Sequence, residues 1–296
     1  PATPLAARLT LVALVGYAAI STDLYLSGIP QMVRDLDASI AQGQLTLSVF
    51  MVGFAFGQLF FGALSDHFGR KPVATAGIFL YSVAALACAL APDMQFLLLA
   101  RALQGFAASA GPVIARAIVR DRFHGTEAAR VMSQLASAMA LIPLLAPVLG
   151  SWLLYVFDWR SQFVLLLLFG LLTLAGLRQL EESCPSIGVA PLAFRRVLAQ
   201  FGACLRQRSF TGFLLCGGAA FAVAFTWISS ASWIVIDLLG VPAQHFGYTF
   251  MLASSGYMLG AFLSARLVGR IGLERTLGTG VAISLLGSLL MLGLAA

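Results

Sequence analysis

Nine long apolar stretches limit what this chain can fold into. Each has roughly the 20 residues that a helix needs to cross a lipid bilayer. Seven contain no Asp, Glu, Lys or Arg, while the first contains only Asp23 and the fourth only Arg101. The stretches are Leu9–Pro30, Gly43–Leu64, Val73–Pro92, Met94–Ala115, Val131–Phe157, Ser161–Leu177, Ser209–Ile236, Phe246–Ala265 and Thr276–Ala296. Uninterrupted runs of this length predict an all-α membrane protein, because a transmembrane β-barrel would show shorter segments of alternating polarity.

The composition excludes a water-soluble domain. Charged residues make up only 10% of the chain and hydrophobic residues 60%, whereas soluble domains carry roughly 25% charged residues. The four cysteines show no metal-ligand spacing, so no metal site is expected from them. The net charge of +6 comes from basic residues around the apolar stretches. It therefore reflects membrane topology, and no nucleic-acid partner is expected.

Basic residues are concentrated on one side of the predicted membrane. If the N-terminus is cytoplasmic, 15 of the 18 Lys and Arg residues lie on the cytoplasmic side. Only Arg34 and Arg160 lie on the opposite side, and Arg101 lies within a stretch. Cytoplasmic loops carry the excess of Lys and Arg in membrane proteins. The sequence thus predicts a multi-pass inner-membrane protein with its N-terminus in the cytoplasm.

An internal repeat divides the chain. At an offset of 203 residues, the first three stretches and their loops align with the last three. The longest polar segment, Arg178–Arg208, lies between them. We predict that residues 1–178 form a six-helix bundle, residues 179–208 a cytoplasmic linker, and residues 209–296 the first three helices of an incomplete second bundle. A complete repeat would add three helices, so nine of an expected twelve are present.

Two charged residues inside the stretches are candidates for chemistry. An ionised carboxylate such as that of Asp23 is costly within a membrane and usually marks an ion pathway. A carboxyl group that can be neutral or charged can exchange a proton between the two sides. Arg101 cannot lose its charge and needs a partner or a wet cavity. Structural alternatives remain open: Asp23 pairs with Arg101 or caps a helix break near Gly28 and Pro30, and backbone carbonyls satisfy Arg101.

The turn between the second and third stretches reads GALSDHFGRKP, from Gly62 to Pro72. Gly69 permits a tight reversal of the chain. We expect Arg70 to pair with Asp121, and Asp66 to contribute to the same charge cluster. A generic turn on the positive side of a membrane requires Arg and Gly but not the whole string.

This string resembles motif A of the major facilitator superfamily, and the resemblance extends along the chain. Residues 99–106 (LARALQGF) resemble motif B, and residues 141–150 (LIPLLAPVLG), with Pro143, Pro147 and Gly150, resemble the antiporter motif C. Residues 23–30 (DLYLSGIP) are similar to the Bcr/CflA subgroup of drug:proton antiporters, which includes bicyclomycin and chloramphenicol exporters. Motif C usually has Gly where Ala146 stands, and the repeat copy of motif A lacks its charged residues.

The resemblance implies a major facilitator fold, in which two six-helix bundles face each other across a central cavity. It implies proton-coupled efflux of small, mostly apolar drugs by alternating access, in a monomer without a cofactor. Asp23 and Arg101 would couple the proton, motif A would form a gate, and motif C would seal the outer side. The candidate cavity residues are Tyr25, Phe54, Gln104 and Trp227.

The sequence leaves alternatives to drug export. In one, the chain is an inactive fragment of such a transporter, and in another it exports an endogenous metabolite. The third, a membrane-embedded enzyme, would require intramembrane His, Ser-His or metal-type clusters, and the sequence contains none. We therefore expect no enzymatic activity.

Overall fold

The computed structural model describes residues 5–184, 187–188 and 194–295, and these residues are predominantly helical. A 3₁₀ turn (Leu26–Gly28) and a π-helix (Trp233–Leu238) accompany the α-helices. The α-helices are α1 (Leu5–Asp23), α2 (Ile29–Asp35), α3 (Ile40–Phe68), α4 (Arg70–Ala89), α5 (Met94–Ala108), α6 (Ala110–Arg122), α7 (Gly125–Val156), α8 (Arg160–Leu177), α9 (Phe194–Leu205), α10 (Arg208–Ser232), α11 (Ala243–Ile271) and α12 (Leu273–Ala295).

Within the described ranges, eight helical segments are long and apolar enough to cross a membrane. Each overlaps one of the first eight apolar stretches, and α12 coincides with the ninth. The prediction of an all-α membrane protein is therefore confirmed, while the total of nine spans stays a prediction.

The first membrane segment is not one continuous helix. The apolar stretch Leu9–Pro30 predicts a helix that continues past Asp23, whereas Asp23 is the last residue of α1. The 3₁₀ turn follows, and α2 then begins with Pro30 in its first turn. Proline has no N–H to donate to the preceding turn, but it is well tolerated at a helix start. The helix that ends at Asp23 therefore starts again at Ile29, with Pro30 in its first turn.

Some helices extend beyond the apolar stretches. The segment that holds α5 and α6 runs to Arg122, and α7 begins already at Gly125. Arg116, Arg120 and Arg130 consequently lie on helices rather than in a loop. Continuing the helix satisfies backbone groups near the membrane surface without water.

Close packing between helices depends on small residues. A Cβ atom at Gly105 on α5 would collide with the carbonyl of Phe50 on α3. A Cβ atom at Gly53 on α3 would collide with the carbonyl of Ala102 on α5. Helices in a bilayer associate through such close backbone contact, since lipid tails are as apolar as the side chains.

Two compact units are present. Unit 1 is Pro1–Met251 and unit 2 is Leu252–Ala296. Unit 2 contains the end of α11 and α12, and between these helices Gly272 adopts a φ of 82°. The division that we predicted, at residues 178 and 209, stays a prediction. Residues 1–4, 185, 186, 189–193 and 296 of the predicted bundle, linker and second bundle lie outside the described residues.

Candidate functional site

Arg101 on α5 is the centre of a buried polar site. Its side chain is completely buried. The guanidinium donates to Oε1 of Gln104 at 2.7 Å and to the carbonyl of Ser21 at 3.2 Å. The rings of Tyr25 and Phe50 lie 4.3 Å and 4.4 Å from the guanidinium carbon. Arg101 therefore keeps its charge in a site built from hydrogen bonds and aromatic faces.

The break after α1 supplies one of these partners. The last four carbonyls of a helix have no partner within the helix, and Ser21 lies in the last turn of α1. A cation near a helix C-terminus is also stabilised by the helix dipole. Arg101 donates to the carbonyl of Thr46 on α3 as well, at 3.4 Å. The alternative in which backbone carbonyls satisfy Arg101 is thus present in part, together with Gln104.

Asp23 lies beside this site but does not pair with Arg101. Asp23 is buried, with 5% of its surface exposed. Its Oδ1 accepts a hydrogen bond from the hydroxyl of Thr22 at 3.0 Å. The same hydroxyl lies within hydrogen-bond distance of the carbonyls of Ala18 and Ala19, so three acceptors share one proton. Neither structural alternative for the Asp23 side chain, the ion pair or the cap near Gly28 and Pro30, is formed.

The four candidate cavity residues do not form one surface. Tyr25 and Gln104 are buried against Arg101, and the hydroxyls of Tyr25 and Thr46 lie 3.0 Å apart. Phe54 stacks on Phe50, with ring centroids 6.3 Å apart. Trp227 is 39% exposed on α10 and does not contact Arg101. Their role in a substrate cavity remains a prediction.

A charge cluster surrounds Arg70 where α3 meets α4. Nε of Arg70 donates to Asp121 at 2.8 Å, and Nη1 donates to the hydroxyl of Ser65 at 2.8 Å and to Asp66. The predicted pair of Arg70 and Asp121 is therefore present, and it joins the start of α4 to the end of α6. Asp66 pairs with Arg70 as well, so it belongs to the same charge cluster, as the sequence predicted.

Glu182 caps the N-terminus of α4 directly after the same turn. Its carboxylate accepts the backbone N–H groups of Arg70 at 2.9 Å and Lys71 at 3.0 Å, at the N-terminus of α4. Burial acts to raise the pKa of Glu182, but the backbone N–H groups of Cys184, Arg70 and Lys71 hold this pKa below its ordinary value of 4.5. We call the end of the bundle that carries Arg70, Asp121 and Glu182 the basic end.

Gly69 forms the whole connection between α3 and α4. Its φ of 99° lies in the region that favours glycine. A Cβ atom there would also approach Oε2 of Glu182 to 2.7 Å. The tight turn and the helix cap therefore both require glycine at this position, as the sequence predicted for the turn.

Helix α7 passes Pro143 and Pro147 without interruption and packs against the break after α1. A Cβ atom at Gly150 would collide with the carbonyl of Leu24. Nε2 of Gln162 on α8 donates to the carbonyl of Gly150 at 3.0 Å and to the hydroxyl of Ser27 at 3.1 Å. The segment around Gly150 therefore fixes the break that carries Asp23.

The same part of α7 meets the start of α11. The hydroxyl of Ser151 accepts the backbone N–H of Gly247 at 2.9 Å, and Nε1 of Trp152 donates to the hydroxyl of Tyr248 at 3.0 Å. Pro147 lies directly against Gly247. These contacts join residues from the two sequence repeats at the end of α7 that is far from the basic end, which we call the opposite end.

A cavity of about 320 Å³ also lies at the opposite end. Beside it, Nη1 of Arg34 lies 3.3 Å from Oδ1 of Asp237, which belongs to the π-helix. The cavity is lined by Ile29, Pro30, Val33, Arg34, Ile40, Gln44, Ser229, Ser232, Trp233 and Asp237.

Sequence reasoning missed several of these residues. Glu182 gave no signal, because a capping carboxylate beyond the sixth span has no fixed spacing to the turn that it caps. Ser151 and Gly247 gave none either. Arg34 and Asp237 did have a signal, since they are separated by 203 residues, the offset of the repeat.

Comparison with known proteins gives one consistent family. The sequence profile of the Major Facilitator Superfamily matches residues 10–296. An uncharacterised MFS-type transporter, YdgK of Bacillus subtilis, is 34% identical, with 96% of this chain and 73% of the relative covered. A bicyclomycin resistance protein homologue of Haemophilus influenzae is 31% identical, with 90% and 67% covered. Multidrug resistance protein MdtL of Escherichia coli is 32% identical, with 86% of this chain and 64% of the relative covered.

Solved structures show the same fold at lower identity. A bacterial homologue of the human lysosomal transporter Spinster, in an inward-facing and occupied conformation, superposes with a TM-score of 0.72 at 19% identity. That match covers 93% of this chain and 63% of the other. A D-xylose-proton symporter superposes with a TM-score of 0.60 at 16% identity, covering 89% and 69%.

Proposed function

The chain belongs to the major facilitator superfamily, and we propose that it exports small, mostly apolar drugs in exchange for protons. It is a membrane transporter with relatives named for bicyclomycin and multidrug resistance. We assign it to the Bcr/CflA-type drug:proton antiporters, because residues 23–30 carry that subgroup's pattern. We further propose that it works as a monomer in the inner membrane, with the basic end in the cytoplasm.

The observation that carries the proposal is the burial and hydrogen bonding of the Asp23 carboxyl group. This buried carboxyl accepts a hydrogen bond from the hydroxyl of Thr22, which also lies near two carbonyls, and among the described residues it forms no ion pair. Charging such a group inside a membrane protein is costly, whereas the protonated form is tolerated. The protonation state of Asp23 therefore changes the free-energy difference between conformations in which Asp23 is buried and conformations in which it is hydrated. A hydrated, charged Asp23 would also attract a cationic drug.

Arg101 has a supporting role in this mechanism. It donates to the carbonyl of Ser21, two residues before Asp23, and to the carbonyl of Thr46 on α3. A movement of the break after α1 must therefore change the contacts of Arg101. We propose that Arg101 favours the charged form of Asp23 when the two side chains approach during the cycle.

The test compares Asp23→Asn with the unaltered protein in vesicles, expressed from the complete reading frame. The probes are ethidium, a lipophilic cation, and chloramphenicol, a neutral drug. Asn keeps the size of the side chain but cannot carry a proton. We expect drug-induced proton release and pH-gradient-driven efflux to fall at least about tenfold, while the protein still inserts into the membrane.

Asp37→Asn is the matched control, because Asp37 is an exposed carboxylate at the opposite end. It should leave efflux and proton release unchanged. Normal gradient-driven efflux in the Asp23→Asn protein would show that Asp23 is not the proton carrier. Failure of the unaltered protein to move either drug would contradict drug export itself.

A further inference from the structure

We propose that Arg34 and Asp237 form a latch that closes the opposite end between the two sequence repeats and separates when this end opens. The inference requires only that the transporter alternates between two conformations. It does not depend on which compound is carried or on the proton coupling of Asp23.

The positions of the two residues carry the first argument. Arg34 and Asp237 are 203 residues apart, so the repeat makes them equivalent. Two parallel repeats pack around an axis along the membrane normal, and equivalent positions meet face to face only near such an axis. An unmodified repeat would place identical charges there, and these would repel. Here the chain has opposite charges at the two positions, which attract.

The surrounding structure is also equivalent in the two repeats. Arg34 lies in the last turn of α2, and Asp237 lies near the end of the π-helix Trp233–Leu238. With the same offset, α2 corresponds to the segment that forms the π-helix. Both segments therefore depart from one continuous α-helix, and π-helical turns occur frequently at functional sites. The ion pair thus joins the two irregular segments of the molecule that correspond to each other.

The contacts around the pair leave room for movement. The cavity of about 320 Å³ is lined by Ile29 and Val33 from the first repeat and by Ser232 and Trp233 from the second. The neighbouring acid Asp35 accepts a hydrogen bond from Nε1 of Trp159 at 3.0 Å. Among the described residues, the carboxylate that pairs with Arg34 is that of Asp237, at the edge of this cavity.

The exposure of the pair suits a contact that must open. The side chains of Arg34 and Asp237 are 63% and 33% exposed. Water can replace the pair when it separates, so the pair does not trap the protein in one state. A buried ion pair would resist opening, because separating it leaves uncompensated charges. Exposed pairs are weak, and we expect this one to change the ratio of closed to open forms by roughly twofold to fivefold.

The experiment measures the conformation directly. Spin labels are attached to cysteines placed at Ala41 and Leu239, two exposed positions at the opposite end. The protein is expressed from the complete reading frame, with its native cysteines replaced, and is studied in lipid nanodiscs. Pulsed electron paramagnetic resonance then gives the populations of short and long distances between the two spin labels.

The charge reversals Arg34→Asp and Asp237→Arg place like charges together. Each should raise the ratio of long to short distances by about fivefold or more. The double exchange, Arg34→Asp with Asp237→Arg, should return this ratio to within about twofold of the unaltered protein. Asp37→Asn removes a nearby charge outside the pair and should change nothing.

A salt titration of the unaltered protein gives a second measurement. At about 1 M salt the Debye length falls to ~3 Å, so the long distances should increase, and Arg34→Gln should abolish this response. Single reversals that leave the ratio unchanged would overturn the latch. A double exchange that fails to restore the ratio, or an equal salt response in Arg34→Gln, would overturn it as well.

Discussion

Different kinds of contact stabilise the basic end and the opposite end. At the basic end, Arg70 binds Asp66 and Asp121, and Glu182 caps α4. Within the described ranges, these partners all belong to the first repeat and the segment directly after it. At the opposite end, contacts within the first repeat, such as that of Trp159 with Asp35, are accompanied by contacts that join the two repeats. Arg34 binds Asp237, and Ser151 binds Gly247.

We expect the two kinds of contact to have different roles, one in the stability of the fold and the other in the conformational change. We expect contacts within one repeat to persist whichever way the repeats move, in contrast to the gate role that the resemblance implies for motif A, so losing them should lower the stability of the first bundle. Contacts between the repeats form in one conformation and are absent in another. Losing them should shift the ratio of conformations and leave the fold of each repeat intact.

The largest effect is expected for Asp121→Ala at the basic end. Arg70 has a side chain that is only 6% exposed, and removing its partner leaves a buried charge with Ser65 and Asp66 alone. Breaking a buried pair costs about 3–5 kcal/mol, and we expect the lower value because two partners remain. The midpoint of thermal unfolding should fall, and the spin-label distances at the opposite end should not change.

Glu181→Ala is the control for this experiment. Glu181 is 89% exposed and lies 3.6 Å from Arg122, so its loss should cost less than about 1 kcal/mol. If Asp121→Ala shifted the spin-label distances without lowering the unfolding midpoint, the proposed difference between the two ends would be wrong.

A medium effect is expected for Ser151→Ala at the opposite end. The change removes a buried hydrogen bond between the repeats, which contributes about 0.5–1.5 kcal/mol. The ratio of long to short spin-label distances should rise by roughly twofold to tenfold. Ser137→Ala is the matched control, because Ser137 is exposed on the same helix and bonds within it. An equal shift in both variants would argue against a contact that is specific to the closed form.

The smallest effect is expected for Glu182→Gln and depends on pH. The pKa of Glu182 is lowered in the folded protein from its ordinary value of 4.5. At pH values above 4.5, the charged carboxylate therefore stabilises the fold. This contribution is lost as the pH falls through the lower, folded pKa. The gap in unfolding midpoint between the unaltered protein and Glu182→Gln should therefore be widest near neutral pH and should narrow as the pH falls below 4.5 and through the lower pKa of the folded protein. Glu181→Gln should show no such narrowing, and a gap that did not depend on pH would contradict the cap.

Two features of the basic end could be predicted from the sequence. Gly69 was predicted to form the tight turn, and Arg70 was predicted to pair with Asp121. Both follow from a turn that leaves almost no freedom to the chain and places charged residues at neighbouring helix ends. The break after Asp23 was harder to place, since Pro30 disfavours a continuous helix without saying where the first part ends.

The membrane itself explains why the sequence alone determined the helices. In a bilayer, each segment must satisfy its own backbone hydrogen bonds, so apolar length decides the secondary structure locally. Side-chain partners are decided by packing between distant segments. Arg101 bonds to carbonyls of α1 and α3 rather than to Asp23, and Arg34 meets a residue that is 203 positions away. Only the tertiary structure could select these partners, because the alternatives have the same chemistry and differ only in which helices lie side by side.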